Sequence, residues 1–220
     1  MPRARLALTQ TRQVACLTTY DRGVTTTAGR RPGPAAAASR ADVLAAVRRR
    51  YRVGERLDVR GVAAELGLAR ATIYRWFGSR ENLLGEVIAT EAEEYFHRTR
   101  ARVGGRGAAA LLETFDRINR GLARAPALRS FLEQERETAL RVLTSSAGPV
   151  TPRSVAAITA MIEDEVRAGA YDPPVEAATL GYAIVRLAEA FIYNDARAGI
   201  RGDVERLRDV EAALLGLARR

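Results

Sequence analysis

The stretch Val59-Arg-Gly-Val-Ala-Ala-Glu-Leu-Gly-Leu-Ala-Arg-Ala-Thr-Ile-Tyr-Arg-Trp-Phe-Gly-Ser-Arg-Glu-Asn-Leu-Leu84 decides the reading of this chain. Asp58 is placed to cap a short helix whose apolar face is Val59, Val62, Ala63 and Leu66. Gly67 suits the left-handed conformation that ends a helix, and Leu68 follows as a buried turn residue. A second short helix, about Arg70–Phe77, packs back through Ile73 and Phe77, and Ala63 is small because the two helices cross closely there. Two short helices joined by a tight glycine-containing turn make a helix-turn-helix. The second helix then presents Arg70, Ala71, Thr72, Tyr74 and Arg75 outward, with its N-terminal end suited to a major groove. The bland alternative is any compact three-helix bundle; turn, spacing and outward polar set together argue against it.

The flanks extend the helical pattern. Ser39 caps a first helix with Val43, Ala46, Val47 and Tyr51 on one face, and Gly54 ends it. Ser79, with Asn82 three positions on, opens a fourth helix over 80–100 whose apolar face is Leu83, Leu84, Val87 and Ile88. Beyond Gly104–Gly107 the pattern predicts helices over 108–123, 127–143, 151–168, 174–198 and 203–218, broken at Pro126, at Ser145–Pro149, at Asp172-Pro173-Pro174 and at Gly199–Gly202. There is no internal repeat and no alternating strand pattern. Abundant Ala, Leu, Glu and Arg favour an all-α class, and 220 residues at 47% hydrophobic content suffice for a real core. The expected organisation is a basic tail over 1–38 without regular structure, a DNA-binding head over 39–88, and a helical body over 89–220.

Charge is placed unevenly. Residues 1–60 hold 13 arginines against four acids, which accounts for the whole net charge of +9; residues 61–220 hold 22 basic and 22 acidic side chains. A basic end on such a chain points to nucleic acid or another anionic surface, although arginine-rich tails are often merely solvated. In Arg48-Arg49-Arg50, one side chain is a candidate for a phosphate and the others for solvent. No apolar run is long enough to cross a bilayer and no signal peptide is evident, so a cytoplasmic protein is expected. The lone Cys16 has no partner for an internal disulfide, and the lone His97 makes neither a zinc site nor a catalytic triad. With no nucleophile–base pair and no phosphate loop, neither an enzyme nor a bound cofactor or metal is expected.

Residues 40–88 resemble the N-terminal domain of the TetR family of bacterial regulators. The likeness rests on the Val-Ala-Ala-Glu-Leu-Gly-Leu turn, the Thr-Ile-Tyr recognition helix, the pair Trp76-Phe77 and the Ser-Arg-Glu-Asn-Leu-Leu entry to the fourth helix. The resemblance implies that Thr72 and Tyr74 reach phosphates, that Arg80 clamps a phosphate beside a helix N-terminus, and that Arg70 and Ala71 read bases. Arg70 suits a bidentate guanine contact; Arg75 suits the same or a phosphate, and Arg60 completes the expected DNA-binding set. Arg75 stands where family members commonly carry His, and Trp76 is bulkier than usual, so no operator sequence transfers. Tyr-Arg-Trp-Phe-Gly-Ser-Arg-Glu, with Phe-Ile-Tyr-Asn-Asp at 191–195, looks like a QsdR-like branch of the family.

What the resemblance implies for the body is a dimer and a small-molecule site. The last two helices of such proteins build a four-helix bundle across the dimer, which puts Ile184, Leu187, Phe191, Leu207, Val210 and Leu214 at the interface. The ligand-site candidates are Phe115, Asn119, Phe131, Met161, Tyr182 and Asn194, with Tyr171, Tyr193 and Glu133 beside them; each, taken singly, also fits core or surface. The implied function is a sequence-specific regulator on a palindromic operator. It acts as a repressor released by a small amphipathic inducer of lactone or acyl type; a TetR-like activator or a ligand-independent DNA-binding protein are the alternatives.

Overall fold

The computed structural model describes residues 38–193 and 203–217. The expected tail, Cys16 and Asn194 lie outside the described residues. Among the described residues there are ten helices and no strand: α1 (Arg40–Arg52), α2 (Val59–Glu65), α3 (Arg70–Phe77), α4 (Arg80–Ala101), α5 (Gly107–Arg124), α6 (Pro126–Gln134), α7 (Arg136–Thr144), α8 (Val150–Arg167), α9 (Ala177–Tyr193) and α10 (Val204–Leu214). The all-α expectation is met.

Helix starts follow the side-chain chemistry. Ser39 and Asp42 form a reciprocal capping box on α1, Asp58 accepts from the Arg60 N–H at 2.9 Å to cap α2, and Ser79 accepts from the Asn82 N–H at 3.0 Å to cap α4. Asp203 caps α10 in the same way, accepting from the Arg206 N–H at 3.0 Å.

Three helix spans differ from the periodicity by several residues, the last of them α10, which ends at Leu214 ahead of Gly216 rather than at 218. The run 127–143 is not one helix; it breaks at Glu135, whose backbone sits at φ −140°, ψ 51°. No glycine or proline marks that break. The Glu135 carboxylate is instead held by Arg80 and Arg56, a tertiary contact that local pattern cannot contain. Helix α9 begins at Ala177 rather than at 174, because Pro173-Pro174 holds the chain out of the helix for several residues more than its first-turn tolerance suggests.

The apolar faces close two cores. The first joins the head to α6 and α7: Val47, Val62, Ile73, Leu83 and Val87 are continuous with Leu128, Phe131, Ala139 and Leu143. The second fills the body, where Leu111, Phe115, Ile162, Leu180 and Leu215 are almost wholly excluded from solvent. Helix α4 is the shared wall, contributing to both. Helices α8 and α9 lie against each other at Gly181, where a Cβ would come within 3.1 Å of the Thr159 backbone nitrogen, so a side chain there would force the pair apart. Buried Glu165 ties the body to the α4–α5 link, accepting from the Gly107 N–H at 2.8 Å and pairing with Arg100. Burial works against its ionisation, but those two partners outweigh it and hold its carboxyl below the usual range.

Candidate DNA-recognition surface and ligand cavity

Helices α2 and α3 are locked by what they bury. Val59, Val62 and Ala63 on α2 meet Ile73 and Phe77 on α3, all under a tenth exposed. The Leu68 N–H donates to the Ala63 carbonyl at 2.9 Å, closing α2 over Gly67, whose φ of 63° is the left-handed region that favours glycine. With the inner faces fixed, Arg70, Ala71, Tyr74 and Arg75 stand exposed and Thr72 half-buried.

The arginines divide into two groups. Those of α1 are paired with acids of the protein itself, Arg49 and Arg52 at exposed positions: Arg49 and Arg50 pair with Glu65, Arg48 with Glu91 and Glu94, and Arg52 with Glu91 at 3.0 Å. Arg40 stacks 4.7 Å from the centre of the Phe77 ring. The arginine run of α1 is thus paired within the protein, with Arg49 the most exposed of the three. Arg60, Arg70 and Arg75, by contrast, have no ion pair among the described residues, leaving full charges on the α2–α3 surface for an anionic partner. Arg80 belongs to the committed group: its Nε–H donates to the Leu57 carbonyl at 3.0 Å and its Nη2 to the Glu135 carboxylate at 2.6 Å. Its charge is turned toward the body rather than outward.

Behind the head lies a cavity of about 310 Å³. Its walls come from Tyr51 and Arg52 on α1, Glu91 and Tyr95 on α4, Leu122 on α5 and Tyr193 on α9. A smaller chamber of about 50 Å³ adjoins it, sharing Phe96, Leu122, Leu143, Val150, Ser154 and Tyr193 as walls. Asn119, Glu189 and Glu211 are polar members of its lining. Burial raises the Tyr51 and Tyr193 phenols far above their ordinary value, Tyr51 further by Glu91 and Tyr193 by Tyr51 and Glu189, so both stay neutral hydrogen-bonding groups. The dimensions fall at the lower end of small-molecule sites, roughly 300–1,000 Å³.

The profile of bacterial regulatory proteins of the tetR family matches residues 55–87, and that of the tetracyclin repressor-like C-terminal domain matches residues 106–216. The chain belongs to the TetR family. It is therefore a DNA-binding transcriptional regulator with a helix-turn-helix head. Among solved structures it is similar to the transcriptional repressor QsdR of R. erythropolis, with a TM-score of 0.74 at 27% identity over 81% of this chain and 94% of that one. The repressor AlkX of a Dietzia strain, implicated in n-alkane biodegradation, shares the fold with a TM-score of 0.52 at 21% identity over 81% of this chain and 97% of that one. No curated protein matches the chain.

Within this TetR-family frame the expected ligand residues separate. Phe115 and Asn119 line the inner chamber, and Tyr193 lines both spaces. Phe131 instead packs in the head core, and Met161 in the body core away from either space. Tyr182 is 52% exposed on the outer side of α9, and Glu133 is exposed on α6. Tyr171 donates to the Leu215 carbonyl at 3.2 Å and fastens the end of α10. The expected dimer residues also separate. Ile184 and Leu207 are 3% and 0% exposed in the protomer's own core and have no surface to offer a partner. Leu187, Phe191 and Leu214 are half-buried and Val210 is exposed. Sequence reasoning missed Tyr51, Glu91, Glu189 and Glu211. For the last two a signal existed. Glu189 stands three residues before Ile192 and four after Val185, and Glu211 stands midway between Leu207 and Leu215, so each carboxylate occupies an apolar stripe position.

Proposed function

We propose that this TetR-family chain is a repressor: a homodimer that holds a palindromic operator and leaves it when a small amphipathic molecule, of lactone or acyl type, enters the body cavity. Residues 39–88 form its DNA-binding head and 89–220 its sensing and dimerising body. Arg70 and Ala71 read bases, Thr72 and Tyr74 reach phosphates, and Arg60 and Arg75 add charge to the same contact. Arg80 holds the head in place through Leu57 and Glu135 rather than clamping a phosphate. The second subunit packs on the outward faces of α9 and α10, where Tyr182, Leu187, Phe191, Val210, Leu214 and Leu217 leave apolar surface.

One observation carries the ligand-release reading. Tyr51 and Arg52, on the last turn of head helix α1, are walls of the body cavity. An occupant therefore touches the head directly, and a shift of α1 moves the recognition helix. Two recognition helices must stand about 34–36 Å apart to enter successive major grooves. A ligand that favours another spacing weakens operator binding by a coupling of roughly 1–3 kcal/mol, or about five- to 150-fold. Titrating operator binding against candidate inducers tests this: the dissociation constant rises on saturation with the inducer. An operator affinity indifferent to every cavity ligand would leave a ligand-independent DNA-binding protein, and tighter binding with ligand would favour an activator.

A further inference from the structure

The inner chamber holds an unmet hydrogen bond. Glu211 is fully excluded from solvent, with 0% of its surface exposed. One carboxylate oxygen accepts from the Asn119 amide at 2.9 Å, and the other, Oε2, has no partner. No arginine pairs with it among the described residues. Arg208, one turn before it on α10, faces Asp116 and Glu113 instead, at 3.5 and 3.6 Å. The second acid of the chamber, Glu189, differs in having a cation beside it: the Thr151 hydroxyl donates to one oxygen at 2.8 Å, and the other, without a hydrogen bond of its own, has Arg186 in an ion pair at 2.7 Å. The remaining walls are apolar, Phe115, Ile118, Ile158 and Ile184 among them.

We infer, building on the reading of this cavity as the ligand site, that its occupant is an apolar-tailed molecule whose head carries a hydrogen-bond donor (an amide N–H, a hydroxyl or an amine) set against Glu211. A buried carboxyl oxygen left unserved is costly, and a donor brought by the ligand removes that cost. The tail runs out into the larger space past Phe96 and Leu122, which the two spaces share. An anionic head is disfavoured against Glu211, because it would face a carboxylate whose neighbouring cation, Arg208, is already set against Asp116 and Glu113.

A matched decyl series tests the assignment in the full-length protein by calorimetry at pH 8.5, where Glu211 is ionised and can only accept: N-methyldecanamide, decan-1-ol, methyl decanoate and decanoate. The amide and the alcohol bind at least about tenfold tighter than the ester, the worth of one hydrogen bond to a charged or buried acceptor. The ester is more hydrophobic than the amide, so partitioning alone would give the reverse order. Decanoate binds weakest. Glu211→Gln, whose amide supplies the chamber with its own donor, brings amide and ester to equal affinity while methyl decanoate binding persists. An ester or carboxylate that matches or exceeds the amide in the unaltered protein overturns the inference and leaves the cavity reading standing. Failure of all four to bind overturns both.

Discussion

The bond between Arg80 and Glu135 offers a direct energetic test of how head and body are joined. Glu135 has a side chain only 7% exposed and receives Arg80 at 2.6 Å; Arg56 stands at 3.5 Å but is 73% exposed and contributes little. Arg80→Ala strands a nearly buried carboxylate with that one solvated neighbour, which costs about 3 kcal/mol by analogy with broken buried pairs. Glu135→Ala leaves Arg80 its Leu57 carbonyl and a one-fifth exposed guanidinium that can turn to water, so the loss is smaller, about 2 kcal/mol. The double variant removes both charges together and loses about 3 kcal/mol, which leaves a coupling of about 2 kcal/mol. Equilibrium urea unfolding of the four proteins, at one fixed protein concentration because a dimer is expected, reads these values. Additivity within about 0.5 kcal/mol would refute the reasoning. So would an Arg80→Ala protein of unchanged stability whose operator binding alone weakened with a salt slope smaller by about one, because that is how a phosphate clamp behaves.

Three further outcomes follow from other parts of the molecule. Arg70→Ala, removing an exposed cation at the start of α3 that has no internal partner, weakens operator binding by about 1–3 kcal/mol and relaxes preference at one base pair without lowering stability; competitive titration against site variants checks it. The Glu211 carboxyl is pushed up to about 7 by burial and by Asp116, against the pull of Asn119 and Arg208, so the folded state holds its proton more tightly than the unfolded one. Its contribution to stability is then full below about pH 4.5 and is lost as pH rises to about 7, by roughly 3 kcal/mol; unfolding of the protein and of Glu211→Gln at pH 5 and pH 8 must differ in that direction. Val210→Asp, on the outward face of α10 at 38% exposure, splits the dimer with little effect on the protomer fold, which sedimentation and circular dichroism measure together.

Much of the head was legible in the sequence because its determinants are local. Caps at Ser39, Asp58 and Ser79, the glycine at 67 and the spacing of Val62, Ile73 and Phe77 fix short helices and a tight turn from neighbours a few residues away. The outward set on α3 followed from the inward one. The body was legible as helices but not as a site. The break at Glu135 coincides with a contact to arginines 55 and 79 positions earlier in the chain, beyond the reach of any local pattern, and the same contact engages Arg80. The cavity draws walls from α1, α4, α5 and α9, and no periodicity reports which residues of distant helices share a space. Phe131 and Met161 illustrate the consequence: an aromatic or a methionine on an apolar stripe reads the same whether it faces a core or a void, and these two face cores. Ile184 and Leu207 show the matching ambiguity for a dimer, since one stripe serves equally for self-packing and for a partner. The informative residues were the acids Glu189 and Glu211, which break the stripe and line the chamber.

The central claim, a sequence-specific regulator that a cavity ligand releases, is tested most directly by selecting genomic fragments bound by the purified protein. The recovered site is then titrated with and without N-methyldecanamide and with Arg70→Ala. The account predicts a palindrome with half-sites about one helical turn apart, binding weakened by Arg70→Ala, and a dissociation constant raised several-fold by the ligand. Binding without sequence preference, or a palindrome held equally well with the cavity filled, would contradict it.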